Sequence, residues 1–340
     1  MADYMKFSRR SFLLMTAALA ACKPGSSILE LSGQTMGTTY NLVGVDHGGT
    51  VDRDELRKAV EASLAEVNDQ MSNWDRGSEI SRFNATTSQA TPVSPALAQV
   101  IKAAQDVHSA SDGRFDITVG PLVDAWGFGS GRDRSDAPSD AEIATALSLS
   151  GQERTLAFEN GRLRKLEPGV ELNLAAIGKG YGVDRVAASI ESFGVSDYMI
   201  EIGGDLYTSG KNPDGQNWRI GIETPDRTGR SVLQVVETSG LGMATSGDYR
   251  NYFEQDGQRY SHVIDPKTGR PITHATTSAT VLTENAMLAD AWATAMLVLG
   301  SERGLEIADE QGLAVLFVDA DGAEKPYVIK PSKTFAALQA

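Results

Sequence analysis

The chain has 340 residues, 41% of them hydrophobic and 22% charged. That is too apolar for a disordered protein, and long enough for one large core or two smaller ones, so a folded enzyme or binding protein is expected. A formal net charge of −14 argues against nucleic-acid binding, which needs a basic surface to meet phosphate.

Lys6, Arg9 and Arg10 precede an apolar run over 12–21 that is too short to span a bilayer and reads as a signal peptide over 1–21. Ser8-Arg9-Arg10-Ser11-Phe12-Leu13 resembles a twin-arginine export signal, and Leu19-Ala20-Ala21-Cys22 a lipobox, where cleavage exposes a cysteine that carries lipid. Cys22 is the only cysteine, and as a lipid carrier it leaves no thiol for disulfides or thiol catalysis. Residues 1–21 hold one acid and three bases, so their removal leaves a mature chain at −16. Membrane attachment must then come from lipid at Cys22 through a tether over 22–30, not from a polybasic patch. The expected location is the periplasmic side of a bacterial inner membrane, or elsewhere in the cell envelope.

Residues 28–45 alternate as strands, and a helix follows in which Leu56, Val60, Leu64, Val67 and Met71 share one face. Further helices are expected over 95–110 and 140–149, separated by a Gly-rich, charged loop over 127–138. Short strands dominate 155–236, broken by a helix over 182–193, with 219–223 and 232–236 as antiparallel neighbours. The mixed order predicts an α+β fold of largely antiparallel sheets with packed helices, and residues 31–340 read as one catalytic unit, bilobed at most.

Within the apolar helix expected over 285–299, Asp290 and Thr294 stand at i and i+4 on one face. A buried carboxylate there wants a basic partner or a metal, and two oxygen ligands suit a hard cation such as Mg²⁺; a plain hydrogen-bonded acid is the alternative. His262 lies where a strand meets the Pro/Gly turn that contains Asp265, as a general base or as a structural hydrogen-bonder. The stretch Glu171-Leu172-Asn173-Leu174-Ala175-Ala176-Ile177-Gly178-Lys179-Gly180-Tyr181-Gly182 runs from an expected strand into a helix. Its glycine spacing is a weak dinucleotide match, although small residues at a helix start suit a phosphate.

Eight segments in this order resemble the ApbE family of FAD:protein FMN transferases, over about residues 31–300. They are Thr35-Met36-Gly37-Thr38-Thr39-Tyr40; Met71-Ser72-Asn73-Trp74 with the stretch 78–84; Gly113-Arg114-Phe115-Asp116 and its continuation to 122; 173–180; Glu201-Ile202-Gly203-Gly204-Asp205; Thr245-Ser246-Gly247-Asp248-Tyr249; 262–271; and Ala289-Asp290-Ala291-Trp292-Ala293-Thr294. The resemblance implies flavin and adenine contacts at Met36, Trp74, Arg114, Phe115, Asp116, Asn173, Lys179 and Ile264. It implies a Mg²⁺ site at Asp290 and Thr294, with main-chain carbonyls of Ala176 and Ala293. Asn173 stands where the family usually has Asp, and Ala175-Ala176 where it often has paired glycines.

The implied reaction moves FMN from FAD to a threonine or serine hydroxyl of a target protein and releases AMP, with His262 as candidate base and Asp265 supporting its loop. The implied acceptors are membrane-linked electron-transfer flavoproteins, of the sodium-pumping (Nqr) or Rnf type or supporting nitrous oxide reduction. Three alternatives stay open on the residues: an FAD hydrolase giving FMN and AMP, an FAD-binding lipoprotein without transfer, and a nucleotide-dependent oxidoreductase.

Overall fold

The computed structural model describes residues 26–129, 136–226, 231–249, 251–321 and 327–339. The signal peptide, Cys22 and the tether to residue 25, and part of the loop 127–138 therefore lie outside the described residues, while residues 27–30, expected in the tether, belong to the first strand. The chain opens with β1 (Ser27–Thr35), β2 (Thr38–Asp46), α1 (Arg53–Met71), α2 (Glu79–Asn84), β3 (Thr91–Pro92) and α3 (Pro95–Ala110). It continues with α4 (Gly120–Ala125), α5 (Asp140–Ser148), α6 (Gln152–Thr155), β4 (Leu156–Glu159), β5 (Arg162–Lys165), α7 (Gly178–Ser192), β6 (Asp197–Ile202) and β7 (Asp205–Ser209). Next come β8 (Trp218–Glu223), β9 (Val232–Thr238), β10 (Leu241–Gly247), β11 (Tyr252–Gln255), β12 (Gln258–Ser261), β13 (Ile264–Asp265) and β14 (Arg270–Pro271). The last elements are β15 (Thr276–Thr283), α8 (Ala286–Gln311), β16 (Ala314–Ala320), β17 (Tyr327–Pro331) and α9 (Lys333–Leu338). The fold is α+β with antiparallel pairing, as its residue patterns predict.

An eight-stranded sheet in the order β1-β2-β6-β7-β10-β15-β16-β17 is the frame. Both of its faces are covered. On one, Leu56, Val60 and Leu64 of α1 and Val183, Val186 and Ile190 of α7 pack on Leu42, Ile200 and Ile202. Each such burial is worth roughly 1.5–3 kcal/mol, which is why the five-residue apolar ladder of α1 forms its inner face. On the other face the β8–β9 ribbon brings Trp218, Ile220, Ile222 and Val236 onto Leu206, Met243 and Leu316, with Phe335 of α9 beside them.

The central helix α8 lies against β10, β15 and α7. Its N-terminus is tied twice: Asn285 Oδ1 accepts from the Leu288 N–H, and the Asp184 carboxylate of α7 accepts from the Ala286 and Met287 N–H groups at 2.8 and 2.9 Å. Burial lifts the Asp184 pKa to about 6, against the pull of those two donors. Two glycines allow the close approach. A Cβ at Gly180 would lie 2.2 Å from the Ala286 carbonyl oxygen, and one at Gly242 would lie 2.4 Å from the Ala286 nitrogen.

Two elements depart from expectation. Helix α7 begins at Gly178, a turn before residue 182, and α8 runs past residue 299 to Gln311, with a break at Gly300 (φ 73°, ψ 168°). The start of the stretch 171–182, expected as a strand, joins no sheet. No helix among the described residues is long and apolar enough to cross a membrane.

Candidate active site

The stretch 171–180 organises the site, and two asparagines hold it where a neighbouring strand would have done. Asn84 accepts from the Leu172 N–H at 2.9 Å and donates to the Leu172 carbonyl at 2.8 Å. Asn73 donates to that same carbonyl at 2.7 Å and accepts from the Leu174 N–H at 2.9 Å. A carboxamide presents one donor and one acceptor side by side, which is how it substitutes for a strand edge. Asn173 donates its N–H to the Ile117 carbonyl, and its Oδ1 accepts from the Ala175 N–H at 3.0 Å. That turn needs only an acceptor oxygen, which an aspartate would also supply. Asn173 lines a cavity of about 250 Å³ together with Trp74, Asn73, Ser81, Asn84 and Glu171. The Trp74 indole is 65% exposed there, which leaves a ring face open to stack on a planar ligand.

Where this stretch enters α7 it meets α8. The Gly180 N–H donates to Asp290 Oδ2 at 3.0 Å. Gly180 is the third residue of α7, so its N–H is one of the first four that a helix leaves without an internal partner, and Asp290 supplies the acceptor. Lys179 Nζ pairs with the Asp205 carboxylate on β7 and lies 3.9 Å from Asp290 Oδ1. Burial works against the Lys179 charge, but Asp205 and Asp290 outweigh it and hold the ammonium above its usual range. Burial, reinforced by Asp205, pushes the Asp290 carboxyl well above the ordinary carboxylate range, against the opposing pull of Lys179 and the Gly180 N–H. One turn on, Thr294 Oγ1 lies 3.1 Å from Ser246 Oγ of β10. Ala293 is fully buried and Ala176 half-buried. Met36, in the β1–β2 turn with φ 49°, lays its methyl against Gly182 of α7.

The remaining residues lie on the elements around β11 to β14. His262 Nδ1 is 2.9 Å from the Asn251 carbonyl, so Nδ1 carries the proton and Nε2 keeps the lone pair. Its ring meets Phe128 edge-on at 6.2 Å, and burial holds its pKa below the ordinary 6.5. Asp265 accepts from Arg114 Nη1 at 2.6 Å and from the Lys267 N–H at 2.9 Å. Ile264 is buried beside Trp126 and Ile143. Phe115 is a core residue, and the Asp116 carboxylate is occupied by the Thr118 N–H and hydroxyl and by the Gln152 N–H. A nucleotide contact from 114–116 is therefore left to the Arg114 side chain and to main-chain atoms.

The structure thus brings Lys179 and Asp290 together at the α7–α8 contact, with Thr294 one turn along α8, and Trp74 with Asn173 to the cavity at the start of the same stretch. Sequence reasoning quoted Asp205 and Ser246 inside their motifs without giving them a role. A lone acid at the start of a buried strand was the available signal for Asp205.

The chain is similar to known proteins along nearly all of its length. The model of the ApbE family matches residues 36–317. A FAD:protein FMN transferase from Vibrio cholerae is 43% identical over 96% of this chain and 99% of its own. One from Haemophilus influenzae is 40% identical over 95% of each chain. Among solved structures, the flavin transferase ApbE from Vibrio cholerae superposes with a TM-score of 0.85 at 41% identity, covering 92% of this chain and 99% of that one. The apo form of the Pseudomonas stutzeri flavinyl transferase ApbE gives 0.84 at 37% identity, covering 92% and 97%.

Proposed function

Because this chain belongs to the ApbE family, we propose that it is a FAD:protein FMN transferase, which moves FMN from FAD onto a threonine or serine hydroxyl of a target flavoprotein. The observation that carries the mechanism is the meeting of Lys179, Gly180 and Asp290 at the α7–α8 contact.

The oxygen donors there fit a hard divalent cation. Among the described residues no three His, Cys, Asp or Glu side chains converge as a metal cage, so the ligands would be the Asp290 carboxylate, the Thr294 hydroxyl, and the carbonyls of Ala176 and Ala293. The Ala176 carbonyl precedes the ladder of α7, whose first bond runs from the Tyr181 N–H to the Ile177 carbonyl, so the helix itself makes no demand on it. Mg²⁺ would supply neutralisation of the charge that develops on the diphosphate.

The chain's own groups do the rest. Lys179, held protonated, adds a fixed positive charge for the phosphates, and Trp74 offers a stacking face for a ring of FAD. The acceptor hydroxyl oxygen bonds to the FMN phosphorus as the phosphoanhydride bond to AMP breaks. AMP leaves with the bonding pair, and the hydroxyl proton passes to His262 Nε2. Since burial keeps His262 neutral below its ordinary pKa, the transfer rate is expected to hold its plateau to a pH lower than 6.5 before falling. A pH–rate profile of the wild type against His262→Gln, which should lose that limb, checks this.

Incubating the protein with FAD, Mg²⁺ and an acceptor flavoprotein domain, then weighing the acceptor and assaying AMP, tests the function. Acceptor-bound FMN with one AMP per transfer is expected, whereas free FMN and AMP beside unmodified acceptor would make the protein a hydrolase. The acceptor class we favour is a membrane-linked electron-transfer flavoprotein with its flavin domain outside the cytoplasm. For that the enzyme must be exported and anchored through Cys22, and Cys22→Ser is expected to leave an exported, unlipidated protein that high-salt washing releases from membranes wherever its signal peptide is cleaved.

A further inference from the structure

The α7–α8 contact holds one more buried acid than this mechanism uses. Asp205, the first residue of β7, is only 2% exposed and receives the Lys179 ammonium directly. The same ammonium stands 3.9 Å from Asp290 Oδ1, too far for a hydrogen bond but within reach of a small change in the lysine's flexible stem. One cation is therefore shared unequally between two buried carboxylates, and it is held on the sheet side. Were it to close on Asp290, it would take up the lone pairs that a divalent cation needs, because an ammonium and a metal ion compete for the same oxygens.

We propose that Asp205 is a positioning residue that tethers Lys179 to β7, so that the Asp290 carboxylate stays open to a divalent cation while the lysine charge remains beside the site. Its partner is the lysine, and its effect on the cation passes entirely through that lysine. The inference rests on the reading of Asp290 as a cation ligand, and the test separates the two.

Mn²⁺ binding to the mature protein with FAD is followed by the loss of the free-ion electron paramagnetic resonance signal, and folding of each variant is verified by circular dichroism. Asp205→Asn keeps the shape and removes the charge, and it is expected to weaken Mn²⁺ binding about 10- to 100-fold, as loss of a group that orients a ligand does. Lys179→Met combined with Asp205→Asn removes the competing ammonium as well, and is expected to recover the affinity of Lys179→Met alone. Asp205→Ser serves in the same role if Asp205→Asn does not fold. Wild-type affinity in the Asp205 variants, or a double variant as weak as Asp205→Asn, overturns the tether, the latter result making Asp205 a direct ligand. Wild-type Mn²⁺ binding in Asp290→Ala instead overturns the cation reading and the tether with it.

Discussion

Asp290→Ala is expected to lower the rate of FMN transfer by roughly 10³-fold or more, because metal-assisted phosphoryl transfer draws several kcal/mol of transition-state stabilisation from the cation. Asp290 supplies the only formal negative charge among the proposed ligands. Stability should change far less, by about 1 kcal/mol. The substitution removes the acceptor of the Gly180 N–H but also the cost of burying the carboxylate, and Lys179 keeps Asp205 as its partner, so no buried charge is stranded. Thr294→Ala should be milder, since water can replace a neutral hydroxyl ligand. Single-turnover transfer and urea unfolding of the same preparations check both expectations. An Asp290→Ala protein that mostly unfolds, while its folded fraction transfers at the normal rate, would make Asp290 a structural hydrogen-bonder and move the cation elsewhere.

Gly180→Ala is expected to be the most damaging single-methyl change in this region. The added Cβ would lie 2.2 Å from the Ala286 carbonyl oxygen and 2.8 Å from Asp290 Cβ. The first of these neighbours is backbone, so α7 and α8 must separate for the methyl to fit. Overpacking of that kind costs about 3 kcal/mol, which in a protein of this size lowers the melting temperature by about 5 °C. Because the Gly180 N–H and Asp290 move apart together, cation-dependent FAD binding should fall as well. Gly178→Ala is the control. A Cβ there meets nothing within 4 Å, and alanine is the better helix former, so stability should be unchanged or slightly higher. Thermal melts of the two variants side by side decide the matter, and equal melting temperatures would mean the α7–α8 contact yields without cost.

The elements most legible in the sequence were those whose apolar periodicity and caps agree. The ladder of Leu56, Val60, Leu64, Val67 and Met71 is buried along α1, and α3 spans Pro95–Ala110 between a Ser94 cap and Ser111. The alternating stretches at 219–223 and 232–236 pair as β8 and β9. Local pattern misread α7 and α8. The glycines at 178, 180 and 182 are poor helix formers and mask the first turn of α7. The last two are there because α8 and Met36 press against that turn. Gly300 ends one apolar run but, at positive φ, only breaks α8 before its continuation to Gln311.

By itself the sequence determined the α+β class and the family, because those depend on the identity and order of short motifs, and it named the candidates for the site. Only the tertiary structure decided how they meet. Asp290 and Thr294 share a helix face by spacing alone, but that the Gly180 N–H from 110 residues away is the Asp290 donor, that Asp205 holds Lys179, and that Asn73 and Asn84 clamp the stretch leading to both, are consequences of packing. Hydrogen bonds between segments so distant in sequence leave no periodic trace in either one, since each depends on where the sheet and two helices bring the other.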